Sequence, residues 1–565
     1  MGNKIQPLSE YPRPQLVRDS YYCLNGEWEY AISKEDALPE AYDGTIIVPF
    51  SPETPLSQVK REVKPDDFLY YKKEFKYEKS MDNDKLILHF GAVDQIAEVY
   101  INDKLTTKHV GGFLPFEVDI KPFLKKSKNT IIVKVKDFSN TKSYSVGKQS
   151  VNRGGIWYTP QSGIYMPVWM EAVSYDYIQN IKITPNIDNG TVDIFVNSID
   201  KNIKLKMFGK VYSISSNKHY TIKVGKYTLW TPETPVLYNF EVSSTNDTVK
   251  SYFAMRKFST MVDSKGVKRL ALNNKPLFMK GVLDQGYYQD GFLTPTCDQD
   301  YINDIKFVKK MGFNVTRKHI KIESMRFYYH CDRLGLIVWQ DFVNGGSEYK
   351  FSTISFPLVT GIHNKDTDYK KFSREDEEAR RQTEQEFKDT INLLYSVPSI
   401  GLWTIFNEGW GQFDSVRIYN ELKELDPTRI FDHASGWHDQ GVSDVKSLHV
   451  YFKRVKMPSA KEAKDRAIIL SECGGYSLKI DGHTFNDKFF GYKKLKSKEE
   501  LLNEYKTFIE KDVRPNIEKG LSAFIYTELS DVEDELNGFI TYDRKVEKID
   551  TNLIKEINDS ININD

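Results

Sequence analysis

The second half of the chain alternates apolar, strand-like runs with amphipathic helical segments, and this alternation limits the fold more than any other feature. The clearest helical segments are Glu375–Tyr395 and Leu501–Val513. Strands that alternate with helices form parallel α/β sheets, and eight strands over about 300 residues match a (β/α)8 TIM barrel. The eight runs are Leu277–Leu283, Phe313–His319, Leu336–Phe342, Ile400–Asn407, Arg429–Ser435, Leu448–Phe452, Ala467–Glu472 and Leu521–Glu528.

The first 260 residues show short alternating strands separated by turn residues, a pattern typical of β-sandwiches. Lys85–Phe90 and Thr130–Lys136 are examples from an N-terminal sandwich, which we predict over residues 1–173. Val192–Val196 and Tyr238–Val242 belong to a second, smaller sandwich of immunoglobulin-like type, predicted over residues 174–262. Residues 263–565 then form the barrel, so the sequence predicts a multidomain protein.

Composition excludes several classes of partner. Lysine plus arginine and aspartate plus glutamate both number 79, which gives no reason to expect nucleic acid or a membrane surface as a partner. The four cysteines show no CxxC spacing, which fits a reducing compartment rather than a disulfide framework. The N-terminus has no apolar signal segment, and no run approaches the length of a membrane span. We therefore expect a cytoplasmic protein.

Polar side chains close six of the eight apolar runs. A charge on a buried strand is costly unless something uses it, and the carboxyl ends of barrel strands face the active site. One such residue alone would more often be structural, but six strand ends together predict a site at this rim. Its candidate residues are Arg317, His319, Asp341, Asn407, Glu408, His449, Tyr451, Glu472 and Tyr526, with Asp284 after the first strand.

Two glutamates on the fourth and seventh strands suit hydrolysis of a glycosidic bond with retention of configuration. In that reaction one carboxylic acid protonates the leaving oxygen while a nearby carboxylate attacks the anomeric carbon. We assign Glu408 as the acid/base and Glu472 as the nucleophile. Asn407 would contact the 2-hydroxyl of the sugar, and Tyr451 would donate a hydrogen bond that keeps Glu472 ionised.

Motifs along nearly the whole chain resemble glycoside hydrolase family 2, which includes β-galactosidases, β-glucuronidases and β-mannosidases. The motifs are Pro12–Arg18, Leu24–Trp28, Gly163–Trp169, Leu229–Pro232, Leu272–Pro276, Pro398–Glu408 and Ser471–Glu472. The resemblance implies a jelly-roll sugar-binding domain, an immunoglobulin-like sandwich and a catalytic barrel. It also implies a retaining exo-β-glycosidase, most like a β-galactosidase, that acts on small carbohydrates. In this family the loop with Trp157 reaches the barrel mouth, where Trp410 and Trp437 could stack on the sugar.

Three positions depart from the family pattern and leave the sugar open. The Asn-x-Lys motif with which β-glucuronidases bind the sugar carboxylate reads Asn537-Gly-Phe539, although Lys321 or Arg153 could supply a cation from another side. Gln285 stands near the position of a histidine found in β-galactosidases and β-glucuronidases. Cys473 replaces an aromatic residue after the nucleophile and reads as a small buried side chain.

Several alternatives stay open. The sugar could be a uronide, a mannoside or an arabinoside, and the chain could be a sugar-binding pseudoenzyme without turnover. A metal-dependent barrel hydrolase is a third alternative, but the sequence has no HExxH or other tight ligand pattern, and we expect no metal or cofactor. The resemblance also leaves open a homo-oligomer and a bound Mg²⁺ or Na⁺, as in some relatives.

Overall fold

A computed structural model describes residues 6–563 of the protein, and its first part is an antiparallel β-sandwich. Apolar side chains alternate inward along its strands, and Trp28, Leu69 and Tyr71 lie between the two main sheets. The six-stranded sheet has the order Gly44–Val48, Gly26–Ser33, Phe68–Lys76, Lys128–Lys136, Ile96–Ile101 and Lys104–Val110. The four-stranded sheet has the order Tyr22–Cys23, Val168–Val173, Lys85–Phe90 and Phe116–Asp119, and Val93–Asp94 pairs with Gly163–Ile164.

A second, smaller sandwich follows. Its core contains Ile194, Leu205 and Val242, which lie on strands along which buried and less buried residues alternate. The three-stranded sheet has the order Asn180–Asn186, Thr191–Asn197 and His219–Lys223. The four-stranded sheet has the order Lys210–Ser215, Asn202–Met207, Tyr238–Ser243 and Thr248–Phe253. The predicted two sandwiches are therefore present, and the immunoglobulin-like character of this one stays a prediction.

Eight parallel strands form the barrel, which confirms the predicted α/β architecture. They are β1 (Met279–Asp284), β2 (Val315–Lys318), β3 (Ile337–Asp341), β4 (Ile400–Thr404), β5 (Ile430–Asp432), β6 (Val445–Val450), β7 (Ala467–Gly474) and β8 (Leu521–Thr527). In the part of the chain that the structure describes, hydrogen-bonded neighbours run β5-β4-β3-β2-β1-β8-β7-β6, so the barrel is closed except between β5 and β6. The prediction for β6 began three residues late because Lys446 and Ser447 interrupt its apolar pattern.

Helices surround the barrel strands. The longest, Glu377–Leu394, begins at Asp376, whose side chain accepts a hydrogen bond from the Ala379 amide, and it buries Phe387 and Ile391 against the barrel. It lies within two residues of the predicted bounds. The others are Asp298–Lys310, Met325–Leu334, Ser415–Leu425, Lys498–Phe508 and Thr551–Asp559, with short helices at Phe351–Ile354, Pro357–Thr360, Ala460–Ala463 and Arg514–Ile517.

The N-terminal end of the barrel is closed by a small antiparallel sheet of Phe258–Val262, Lys268–Leu272 and Lys275–Pro276. Phe258 and Leu270 from this sheet pack with Trp339 and other side chains inside the barrel. Apolar packing therefore fills the lower half of the barrel, and polar groups gather at the opposite rim. Over residues 6–563, no helix has the length and apolar character to span a bilayer.

Candidate active site

The carboxyl ends of the barrel strands bring most of the predicted polar residues together at one rim. Glu408 lies four residues after β4, where Asn407 forms a bridge with Ser435 beyond β5. Glu472 lies within β7, and His449 lies within β6. Because parallel strands all end on the same side of the sheet, residues far apart in sequence meet here.

Glu408 and Glu472 form a close carboxylate pair. One carboxylate oxygen of each, together with a ring nitrogen of His449, lies within 4.8 Å of the others. Both glutamates are buried, at 7% and 4% exposure. This spacing suits two carboxyl groups that act on the two atoms of one glycosidic bond, and it is shorter than the separation of about 6.5–9.5 Å that leaves room for a water molecule between them.

The surroundings of Glu408 favour its protonated form. Burial raises the pKa of Glu408, and the negative charge of Glu472 raises it further, against the opposing contact with His449. His449 Nδ1 lies 2.7 Å from Glu408 Oε1, and its Nε2 lies 2.9 Å from the Ser435 hydroxyl. Glu408 itself has a left-handed backbone, with φ of 48°, which turns its side chain from the end of β4 toward Glu472.

The surroundings of Glu472 favour its ionised form. Burial alone would raise the pKa of Glu472, but His449, Arg317 and His319 and a hydrogen bond from Tyr451 together hold it well below its usual range. Arg317 Nη1 donates to Glu472 Oε1 at 3.0 Å, and the Tyr451 hydroxyl donates to Oε2. Two carboxylates in one cavity therefore have pKa values displaced in opposite directions, as an acid and a nucleophile require.

Arg317 connects the polar groups around Glu472. Its guanidinium is fully buried and donates to Asp341 Oδ1 and Asn407 Oδ1, each at 2.9 Å. His319 Nδ1 lies 2.8 Å from the other oxygen of Asp341. Because Arg317 engages the amide oxygen of Asn407, the buried Nδ2 of Asn407 has no partner among the described residues. That amide group is available to donate to a ligand.

Aromatic rings enclose the mouth of the cavity. The Trp157 ring, from the N-terminal sandwich, lies 5.1 Å from that of Trp410 and 5.8 Å from that of Tyr349. Trp437 packs edge-on against His449 at 5.4 Å, and its indole N–H donates to the Ile354 carbonyl. These rings lie near the buried carboxylate pair, and aromatic faces of this kind suit the faces of a sugar.

Two predicted residues lie away from the carboxylate pair. Asp284 is held by Lys318 Nζ at 2.7 Å, and its other carboxylate oxygen accepts from the Gly286 amide. The Tyr526 ring stacks on Phe539 at 4.5 Å, in the apolar layer between barrel and helices. Phe539 therefore belongs to the core.

Sequence reasoning missed three groups at this site. Ser435 lies between His449 and Ser471, Tyr492 stacks on Tyr451 at 3.9 Å, and Lys148 lies over the ring of Trp410 at 5.0 Å. Ser435 ends the fifth predicted strand but was not singled out, whereas Tyr492 and Lys148 lie outside every predicted strand and helix. Sequence signals could have identified two of them: Ser435 stands at a predicted strand end, and Lys148 lies close in sequence to the Trp157 loop.

The same cluster is also where a metal ion would find ligands. Among residues 6–563, Glu408, His449 and Glu472 are the one group of three such side chains close enough to share an ion. Both oxygens of Glu472 already accept hydrogen bonds, from Arg317 and Tyr451. The donor set therefore suits proton transfer between the carboxyl groups and a substrate better than metal binding.

Comparisons with known proteins agree with this architecture. Residues 22–170 match the sequence profile "Glycosyl hydrolases family 2, sugar binding domain", and residues 263–563 match "Glycosyl hydrolases family 2, TIM barrel domain". A β-galactosidase of Thermoanaerobacter pseudethanolicus is 24% identical over 298 residues, which are 48% of this chain and 39% of that protein. The chain thus spans about two fifths of the length of the first curated relatives that it matches.

Two solved structures share the fold over almost the whole chain. The β-D-glucuronidase of Dictyoglomus thermophilum is 20% identical with a TM-score of 0.75, covering 98% of this chain and 99% of that one. A β-galacturonidase of Eisenbergiella tayi bound to galacturonate is 17% identical with a TM-score of 0.72, covering 98% and 100%. At these identities the likeness establishes the fold alone.

Proposed function

Because the chain belongs to glycoside hydrolase family 2, we propose that it is a retaining exo-β-glycosidase that releases terminal β-linked sugars by double displacement. One observation carries the proposal above all others. One oxygen of Glu408 and one of Glu472 lie within 4.8 Å of each other, with the pKa of Glu408 raised by burial and that of Glu472 held low by His449, Arg317 and Tyr451.

The reaction begins with Glu408 protonated and Glu472 ionised. Glu472 attacks the anomeric carbon while Glu408 donates its proton to the departing oxygen, which gives a covalent glycosyl-enzyme. Glu408 is then ionised and takes a proton from a water molecule, which attacks the anomeric carbon and releases Glu472. Two inversions return the product to the β configuration. Asn407 Nδ2 is free to donate to the 2-hydroxyl throughout.

The enclosure of the site supports removal of terminal sugars. Trp157, Tyr349 and Trp410 form one wall, and Trp437 lies against His449 on another. A long polysaccharide would need an open groove on both sides of the carboxylates, whereas a pocket accepts one sugar unit. A galactoside, which the family resemblance favours, is one candidate for that unit, and relatives named for uronides make a uronide another.

The stereochemical course tests the proposal directly. We expect one or more chromogenic β-glycosides to be hydrolysed in a panel of galactoside, glucoside, mannoside, glucuronide, galacturonide, fucoside and arabinoside. Proton NMR during the first minutes should show the β-anomer of the free sugar before mutarotation. The α-anomer as first product would exclude double displacement, and failure to hydrolyse any member would favour a sugar-binding protein without turnover.

Tyr451→Phe should shift the acidic limb of the pH profile. The Tyr451 hydroxyl stabilises ionised Glu472, so its removal raises the pKa of the nucleophile. Activity is lost as the pH falls through that pKa, and the acidic limb of kcat/KM should therefore move upward, by about one pH unit. Tyr252→Phe is the matched control, because the Tyr252 hydroxyl also donates to a buried carboxylate, Asp332 Oδ2 at 2.8 Å, outside the candidate site, and its loss should leave the limb in place. An unchanged limb in Tyr451→Phe would contradict the role of Tyr451.

A further inference from the structure

Lys148 is a buried cation without an anionic partner. Its side chain belongs to the N-terminal sandwich and is 6% exposed. Among residues 6–563, its ammonium forms no hydrogen bond or ion pair, and it instead lies over three rings. These are Trp410 at 5.0 Å, Tyr158 at 5.6 Å and Trp157 at 5.9 Å from ammonium to ring centroid. Rings compensate only part of the cost of burying a charge, so the site is incomplete without an anion.

Five other cations near this rim are neutralised by carboxylates. Each has a carboxylate oxygen within 3.0 Å: they are Arg317, Lys318, Lys321, Arg153 and Lys548. Lys321 and Arg153, which the sequence offers as cations for an acidic sugar, are thus already paired with Glu323 and with Glu533 and Asp534. Among the described residues Arg374 is also buried without a carboxylate partner, but its Nε donates to the Gly411 carbonyl and its Nη1 to the Thr383 hydroxyl. Lys148 differs in that its ammonium has no hydrogen-bond partner among these residues.

The ammonium of Lys148 belongs to the catalytic cavity. Trp410, whose ring it covers, lies two residues after Glu408 and packs edge-on against His319 at 5.8 Å. Burial raises the pKa of both Glu408 and Glu528, and the charge of Lys148 opposes the rise at both groups. Lys148 is therefore close enough to act on the acid/base and on the carboxyl group that follows β8.

Polar groups without a full set of partners also lie near Lys148. Gln285 Nε2 donates to Glu528 Oε2 at 2.8 Å, while Gln285 Oε1 and Glu528 Oε1 are buried without partners among the described residues. Burial and the neighbouring Glu535 raise the pKa of Glu528 well above its usual range, which disfavours a negative charge at this group. Hydroxyl-binding groups together with an unpaired cation fit a sugar that carries an acid.

We propose that Lys148 binds the carboxylate of a terminal uronic acid and that the substrates are β-linked uronides. The inference rests on the proposed function, since it names the sugar that the same carboxylate pair acts on. A carboxylate offsets the desolvation cost of the buried ammonium with an opposite charge. A neutral sugar removes water from the ammonium as well but offers only hydroxyl groups in return. The site would therefore discriminate between sugars by charge. Lys148, from the N-terminal sandwich, would supply the cation that the buried Phe539 cannot supply.

The test compares Lys148→Met with wild type on 4-nitrophenyl β-glucuronide, β-galacturonide, β-glucoside and β-galactoside. Methionine keeps the apolar stem among the rings and removes the charge. We expect wild type to prefer a uronide and the ratio of uronide to neutral kcat/KM to fall about 100-fold in Lys148→Met, with partial recovery in Lys148→Arg. Lys142→Met is the matched control, because Lys142 also lies over a ring, Phe138 at 5.8 Å, but is exposed outside the cavity.

A second readout separates failure of this inference from failure of the proposed function. Calorimetry with free glucuronate and galacturonate, against glucose and galactose, measures recognition without turnover. Hydrolysis of neutral glycosides alone, or an equal loss on both classes in Lys148→Met, overturns the inference and leaves the glycosidase standing. No hydrolysis of any glycoside overturns the proposed function. In that case, uronate binding that Lys148→Met abolishes supports the assigned ligand, and its absence in wild type overturns it.

Discussion

Glu472→Gly will lower kcat on every substrate by roughly 10⁴-fold or more, because the variant has no group to attack the anomeric carbon. The loss should not come from unfolding, since Glu472 lies at the carboxyl end of β7, above the apolar filling of the barrel. Circular dichroism and the thermal midpoint check that point. Glu472→Gln, which keeps the shape of the side chain, should be as inactive as the glycine variant.

Azide makes this result specific. In Glu472→Gly the space left by the carboxylate admits a small anion, and with an activated aryl glycoside azide should restore turnover by a single displacement. The product is then the α-glycosyl azide, identified by NMR. Glu386→Gln is the matched control: burial also raises the pKa of Glu386, but this residue lies on the helix Glu377–Leu394 outside the candidate site, so an amide there should cost far less activity. Wild-type rates in Glu472→Gln would refute the assignment.

Glu408→Ala has the second largest expected effect, and the effect depends on the leaving group. Hydrolysis of glycosides with alkyl alcohol leaving groups should fall by roughly 10²–10⁴-fold, because such oxygens need the proton that Glu408 donates. A dinitrophenyl glycoside needs no proton, so its first step should be nearly unchanged and the glycosyl-enzyme should accumulate as a burst of phenolate. The basic limb of the pH profile should also disappear, since activity in wild type is lost as the pH rises through the raised pKa of Glu408.

Azide again distinguishes the roles. In Glu408→Ala it attacks the glycosyl-enzyme without needing a base and should give the β-glycosyl azide, the opposite anomer to that from Glu472→Gly. Equal losses for good and poor leaving groups, or the same azide anomer from both variants, would mean that the two glutamates do not have the roles assigned here.

The two carboxylates of the candidate site could be predicted from the sequence, because a charged side chain at the end of a buried strand is costly unless it has a function. An apolar run that ends in Asn407-Glu408 or Ser471-Glu472 carries a charge that a purely structural strand would avoid. The eight strands were readable for a related reason, since their lengths and apolar character differ from those of the helices between them. Both features depend only on neighbouring residues, so they can be recognised in one sequence without knowledge of the tertiary contacts.

The rest depended on tertiary contacts. Tyr526 lies in a strand whose seven residues are all buried, so burial does not reveal that its ring lies toward the helices rather than the cavity. Asp284 has the same position at a strand end as Asp341, but Lys318 pairs with it and Arg317 pairs with Asp341. Lys148 comes from another part of the chain, and its importance arises only from what surrounds it.

Lys148 and Trp157 belong to the N-terminal sandwich, whereas the carboxylate pair belongs to the barrel. The choice of sugar and the cleavage of its bond are thus assigned to different parts of the chain. Arg153, between Lys148 and Trp157, is ion-paired to Glu533 and Asp534 of the barrel, so the segment is fastened to the rim without contributing to the carboxylate pair. We therefore expect substitutions in residues 145–161 to change the choice of sugar more than the rate at which the glycosidic bond is cleaved. We expect sequence variation among such proteins to concentrate in this segment. A barrel that lacks the segment should discriminate poorly between sugars.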